Sequence, residues 1–253
     1  MRHGSYRDLT IELLRKELRV RYKHLSLGYL WSVANPLAYA LLYYIVFALI
    51  LQVKTPNYPV FLIVGLFPWQ WINNSIAVGP MTFFGNGPLI KKTLFPRFLI
   101  PFVVVLQDLI HFIATLPIIF AALALYKIKI GWPLVWGLPL LLIVQFIIAY
   151  ALNLMIASIN LFFRDLERIL ALFMTFLFYL TPVLYDESLI PEPYRKLILF
   201  HPLAPLMINW RNIFMKNTFD WKFLASSTIW AVGLLGLAQF IYKKLEWRFA
   251  EVL

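Results

Sequence analysis

Two long stretches of this chain carry almost no charge, and that confines it to a bilayer. No Asp, Glu, Lys or Arg occurs from Thr55 to Ile90, and from Phe98 to Tyr126 the only one is Asp108. Between them lies a short basic island, Asn86-Gly-Pro-Leu-Ile-Lys-Lys-Thr-Leu-Phe-Pro-Arg97. The chain is 62% hydrophobic and only 14% charged, against about 25% charged in a soluble domain. A water-soluble core cannot absorb that much apolar surface, so lipid is the solvent for most of it. A segment pinned between two spans passes any push on it to both helices.

The pattern predicts an all-α membrane protein. Residues 1–30 form a cytoplasmic amphipathic interfacial helix, and 31–253 a six-span transmembrane domain. In the helix, Tyr6, Leu9, Leu13, Leu14, Leu18 and Tyr22 make one apolar stripe at helical spacing. Ser5-x-x-Asp8 is a candidate capping box, and Glu12–Lys16 and Glu17–Arg21 are favourable i,i+4 pairs. Such a helix lies in the headgroup plane or packs, solvated, on a soluble partner. Spans are expected near 31–53, 60–84, 98–126, 134–161, 169–185 and 222–242, each near the ~20 residues a crossing helix needs. The fifth is at the short limit. In the segment 186–220, Leu197–Ile208 is apolar but broken at Pro202 and Pro205. It reads as two short helices dipping back into the outer leaflet, hinged near His201-Pro202, or as an ordinary interfacial helix.

The net charge of +11 belongs to membrane orientation and not to nucleic acid. With the N-terminus inside, the inner pieces hold seven Lys or Arg in 1–30, three in 85–97, two in 162–168 and three in 243–253, against eight outside. Both termini are therefore expected in the cytoplasm. The first thirty residues have no cleavable signal peptide.

Chemistry is sparse. There is no cysteine, which excludes disulfides, thiol catalysis and Cys-ligated metals. No G-x-x-x-x-G-K-[ST] loop exists to cradle nucleotide phosphates, and no G-x-S-x-G elbow. The chain is read as no enzyme, with no catalytic, cofactor or metal residue. Asp108 is the one acid inside a span, roughly 16 Å past Arg97 at 1.5 Å per residue, with His111 at i+3. The pair is either a proton-linked lining or an interhelical pin. Aromatics are dense. Tyr39, Tyr43 and Phe47 recur at i, i+4, i+8 in the first span, and Phe173, Phe176 and Tyr179 lie near one face in the fifth. These six are core packing or the lining of a path for sugar, whose C–H faces stack on aromatic planes while tyrosine hydroxyls meet its hydroxyls. Trp31, Trp69, Trp71, Trp132, Trp136 and Trp221 fall near span ends, where interface belts are expected.

Several motifs occur in an order that is familiar. They are Arg19-x-Arg21-Tyr22-Lys23, Leu27-Gly28-x-x-Trp31, Pro36-Leu37, Gly65-Leu66-x-x-Trp69, and Leu89-Ile90-Lys91-Lys92 with Phe95-Pro96-Arg97 and Pro101. Phe163-Arg164-Asp165-Leu166, Thr181-Pro182-Val183-Leu184-Tyr185 and His201-Pro202-Leu203 continue the series. Together they resemble the permease subunits of ATP-binding-cassette polysaccharide exporters, with the O-antigen permeases the nearest type. Thr181 and His201 stand where that pattern has Ser and Asn.

The resemblance implies a homodimer forming a channel in the bacterial inner membrane, served by two copies of a cytoplasmic ATPase subunit that holds ATP and Mg. It implies no cofactor on this chain. The cargo would be a polysaccharide linked to undecaprenyl pyrophosphate. Residues 85–97 would be the cytoplasmic coupling segment, with Leu89, Lys91, Lys92, Phe95 and Arg97 engaging the ATPase. Arg19, Arg21 and Lys23 would meet the lipid pyrophosphate, and 186–220 would be the outer gate, hinged at His201, Pro202 and Pro205. Rival readings are an exporter of teichoic acid or capsule with the same architecture, a proton-coupled secondary transporter relaying through Asp108 and His111, and a membrane-bound lipid-modifying enzyme.

Overall fold

The computed structural model describes residues 4–22, 30–92 and 95–253, and every regular element in them is helical. In chain order these are α1 (Gly4–Tyr22), α2 (Leu30–Tyr43, continued by a π turn Tyr44–Ile50), α3 (Tyr58–Ala77), α4 (Gly79–Phe84), α5 (Gly87–Lys92) and α6 (Leu99–Leu125). Then follow α7 (Pro133–Asn160), α8 (Leu166–Leu180), α9 (Glu192–Arg195), α10 (Ala204–Arg211, continued by a π turn Asn212–Lys216), α11 (Trp221–Leu245) and α12 (Phe249–Val252).

Proline sets many of the starts. Pro59, Pro80, Pro133 and Pro205 each occupy the first turn of α3, α4, α7 and α10, where a missing N–H costs nothing. At α11 the Asp220 carboxylate accepts from the Lys222 and Phe223 amides instead. Asn217 ends the π turn after α10 with a left-handed φ of 52°, a conformation asparagine tolerates. Its side chain then donates to the Lys129 carbonyl, tying two loops at the same end of the bundle.

Among the described residues five helices are long and apolar enough to cross a membrane: α2 with its π turn, α3, α6, α7 and α11. The expected fifth span is α8, which has 15 residues. That is about 22 Å at 1.5 Å per residue, short of the ~30 Å hydrocarbon core. It stops where Thr181-Pro182 turns the backbone extended. The expected second span is two helices, because Gly79-Pro80 breaks α3 from α4.

The five crossing helices are not equivalent. Of their apolar windows, 72% of α3 and 61% of α7 are buried, against 11% of α2 and 17% of α11. So α3 and α7 form the centre, with α6, α10 and α11 around them. Carboxamides on α7 fasten the pair. Gln145 donates to the Pro68 carbonyl, Asn153 to Ser75 and Asn160 to Pro80. Interhelical bonds of this kind contribute only about 0.6 kcal/mol each on average, so they set register more than stability. The α3–α4 break sits on the same face of α7. A Cβ on Gly79 would come within 2.9 Å of Ile156, so only glycine allows that approach.

The amphipathic helix forms as expected, but its stripe is against protein. Leu13, with Leu9 and Leu14, packs on Leu99 and Val103 of α6. Glu12 pairs with Arg15 at i+3 rather than Lys16, and Lys16 reaches the Asn86 side chain before α5. The expected cap at Ser5 falls one residue inside the helix, which begins at Gly4. The segment 186–220 is short helices, with the break at His201–Leu203 as expected. Its second arm is enclosed by protein. Every residue from Ala204 to Phe214 is buried, and α10 packs on α3, α7 and α11.

Candidate functional site

A cleft of about 520 Å³ lies between α2, α3 and α8. One wall is aromatic. Tyr39 and Tyr43 stack one turn apart at 6.3 Å, Tyr43 meets Phe178 at 5.7 Å, and Phe178 meets Trp69 at 5.3 Å. Tyr179 closes the wall on α8. The other wall is polar: Gln70, Asn73 and Asn74 from one face of α3, with Asn35 of α2 and Thr175 and Glu167 of α8. Tyr39 and Tyr179 are 44% and 57% exposed, so the cleft is open to the side in a single chain. Its residues run from Asn35 to Tyr43 on α2, along the second half of α3, and along α8 from Glu167 to Tyr179.

Three of the six expected lining residues meet here: Tyr39, Tyr43 and Tyr179. Phe47 packs edge-on against Tyr43 and lies beyond the lining. Phe173 and Phe176 are exposed on α8 but point elsewhere than the cleft. Trp69, expected in an interface belt, is 3% exposed and forms the cleft's inner wall. Trp71 is buried too, stacked on Phe112. The carboxamide tier was not expected, although Gln70-x-x-Asn73-Asn74 shows it at i, i+3, i+4 within an apolar run.

The basic island folds back on its own chain. The Asn86 side chain donates to the Thr82 carbonyl and its backbone carbonyl accepts from Leu89 and Ile90, which turns α4 into α5. Phe83 and Ile90 sit in a cluster with Phe249 of α12, and Gly87 lies under Leu253. Phe95 is half-buried in that cluster and beside Leu13 and Leu99. The Arg97 guanidinium donates to the Glu246 carbonyl and lies 6.0 Å from the centre of the Phe249 ring. So Phe95 and Arg97 hold the island to α1, α6 and the C-terminal turn, while Lys91 is exposed and Leu89 half-buried. Arg19 is exposed on the last turns of α1. The side chains of Arg21 and Lys92, and all of Lys23, lie outside the described residues.

Within the helices, Asp108 is buried and accepts from Ser75 at 2.9 Å, joining α6 to α3. His111 is buried one turn further along α6. Among the described residues no group of three His, Cys, Asp or Glu is placed to hold a metal.

At the end of the bundle opposite the island, Arg211 is the centre of a latch. It is 1% exposed and donates to the carbonyls of Pro182, Val183 and Tyr185, while its guanidinium lies 3.7 Å over the Phe61 ring. Tyr58 donates to the Leu184 carbonyl alongside. His201 has a precise local role. Its Nδ1 accepts from the amides of Leu203 and Ala204, at 3.2 and 2.9 Å, capping α10 as an asparagine oxygen would. The expected hinge is thus a helix cap, with Pro205 in the first turn behind it. Capping needs Nδ1 unprotonated, and burial lowers the His201 pKa below its ordinary value of 6.5. The unfolded chain then takes up the proton first, so this stability is present above about pH 6.5 and drains away below it. We expect the melting temperature to fall between about pH 7.5 and 5.5, and the fall to be smaller in His201→Asn, measured by tryptophan fluorescence. Equal pH profiles would remove the cap from the account.

The chain's sequence, compared with known families, matches the ABC-2 type transporter profile over residues 8–215, from α1 through the π turn after α10. This chain belongs to the ABC-2 type transporter family. It is 42% identical to the O-antigen export system permease protein RfbA of Klebsiella pneumoniae, over 99% of this chain and 96% of that one. It is 34% identical to the protein of the same name from Myxococcus xanthus, over 98% and 96%. Polysialic acid transport protein KpsM of Escherichia coli is more distant, 26% identical over 78% of this chain and 77% of that one. Membership makes the chain a transporter's multi-pass membrane subunit, which fits its lack of a nucleotide loop.

Proposed function

We propose that this chain is the channel-forming membrane subunit of an ATP-driven exporter that carries undecaprenyl-pyrophosphate-linked polysaccharide of the O-antigen type out of the cytoplasm. The observation that carries the reading is the cleft. Its Tyr39, Trp69 and Phe178 rings offer faces to sugar C–H groups, and its carboxamides offer paired donors and acceptors to sugar hydroxyls. The two RfbA relatives, O-antigen export permeases by name, support the O-antigen part of that reading. Two copies, related by a twofold axis, close the open side of each cleft into one path across the inner membrane. The six-span arrangement follows if α8 completes its crossing with the extended Thr181–Tyr185 segment, and the orientation places both termini inside.

Work enters at the end that carries α5. Each copy engages one cytoplasmic ATPase there, through Lys91 and the Leu89 face, with Lys92 beside them. Phe95 and Arg97 transmit the push inward, because they bind α5 to α1, α6 and α12. Arg19, Arg21 and Lys23 supply cations for the lipid pyrophosphate at the inner headgroup plane. A Lys91→Glu chain should recover about fivefold less ATPase on co-purification, the equivalent of ~1 kcal/mol for one rim charge. Proteoliposomes holding the chain with its ATPase should translocate lipid-linked glycan only when ATP is supplied. Translocation by the chain alone, driven by a pH gradient, would instead support the proton-coupled reading through Asp108.

A further inference from the structure

Resting on the export reading, we propose that the cleft selects an uncharged sugar polymer and rejects a polyanionic one, with Glu167 as the lining group that repels anionic sugars. The polar groups of the cleft are carboxamides and hydroxyls. Asn35, Gln70, Asn73 and Asn74 each present a donor and an acceptor, as Thr175 does, and a sugar hydroxyl is itself both. The one ionisable acid among them is Glu167, exposed on the first turn of α8. No Lys, Arg or His is among the described lining residues.

The path beyond the cleft is equally bare of cations. From Trp31 to Leu51, and from Ile169 to Tyr185, the sequence holds no Lys, Arg, Asp or Glu. A second copy adds the same residues in a twofold arrangement, so these faces stay uncharged in the dimer. Two arginines flank Glu167 in sequence. Arg164 lies over the Phe84 ring at 5.5 Å, and Arg168 is exposed outside the lining. A carboxylate or phosphodiester leaving water needs cationic donors to replace its hydration. A polymer with one such group in each repeat would meet none along the uncharged stretches of α2 and α8, and would meet the Glu167 carboxylate in the lining. Neutral hexoses lose nothing comparable, because the carboxamides and phenols of the lining can replace water at their hydroxyls.

The test uses proteoliposomes of the whole complex, chain plus ATPase. They are given two polyprenyl-pyrophosphate-linked glycans of equal length, a polymannose and a polymer bearing a uronic acid in every repeat. ATP-driven translocation of the neutral glycan should exceed that of the anionic one by about tenfold or more, the effect of one uncompensated charge. Asn74→Lys puts a cation on an exposed cleft position and should shrink that ratio. Glu167→Gln should shrink it as well. Equal rates for the two glycans would overturn the selection while leaving export intact. A ratio that neither variant moves would overturn its assignment to the cleft. If neither glycan moves, the export reading fails and takes this proposal with it.

Discussion

A chain with Arg211 replaced by methionine should melt about 10 °C or more below the native subunit in detergent, since each kcal/mol shifts a protein of this size by roughly 2–4 °C. The loss comes from acceptors that the substitution cannot remove. Pro182, Val183 and Tyr185 offer main-chain carbonyls in a segment with no helical partner, and Arg211 is their donor. Hydrogen bonds to a charged group contribute about 1.5–3 kcal/mol each, so losing all three costs roughly 4.5–9 kcal/mol. Swapping a buried ion pair for apolar residues can be neutral, because both partners go at once. That escape is closed here, because the partners are backbone. Lysine should rescue little, as one ammonium cannot reach three carbonyls in the fork geometry of a guanidinium or lie flat on Phe61. Gly65→Ala should imitate the defect from the other side, since its Cβ would stand 2.9 Å from the Arg211 Nη2 and 3.0 Å from the Val183 carbonyl. An Arg211→Met subunit that melts within a few degrees of native would show that the latch does not hold the fold.

That latch was hidden in the sequence for a physical reason. In water, an apolar face and a buried face coincide, so periodicity reports burial. In lipid they do not, because an outward leucine is as well solvated as an inward one. Span positions were therefore legible: α2, α6, α7 and α11 fall close to their expected limits, while the expected second span is divided between α3 and α4. Which face of each is buried was not. Phe173 and Phe176 had the same spacing argument as Tyr179, yet only Tyr179 reaches the cleft. Polar residues are the reporters that survive in lipid, since each needs a partner or water. Gln70, Asn73 and Asn74 mark the cleft, and Gln145, Asn153 and Asn160 mark the α3–α7 seam. Arg97 shows the opposite difficulty. A basic loop residue reads as outward charge, and its bond to the Glu246 carbonyl, 149 residues away, leaves no mark in the sequence around it. No local pattern contains such a pairing. His201, where the resemblance has asparagine, accepts two amides through Nδ1, a contact that a carboxamide oxygen could also make.

The double substitution Tyr39→Ala with Tyr179→Ala should cut ATP-driven glycan export by about a hundredfold, taking aromatic–sugar stacking at ~1–1.5 kcal/mol per ring and the loss of both. These two rings separate export from folding better than any others in the wall. Both are exposed in the single chain, so little buried area goes with them. Tyr43 and Phe178, by contrast, are joined to Phe47 and Trp69 by ring contacts, and removing them opens the core beneath. The comparison that matters is therefore Tyr39→Ala/Tyr179→Ala against Phe173→Ala/Phe176→Ala. The second pair is as aromatic and as exposed, on the same helix as Tyr179, but outside the cleft. Purified yield and melting temperature should stay near native for both double variants, and only the first should lose export. Co-purification with the ATPase should persist in both, since α5 lies apart from these rings. If the two doubles lose export equally, the path follows the open face of α8 rather than the cleft. If neither does, the aromatic wall is packing alone, and the carboxamides of α3 have to carry the sugar without it.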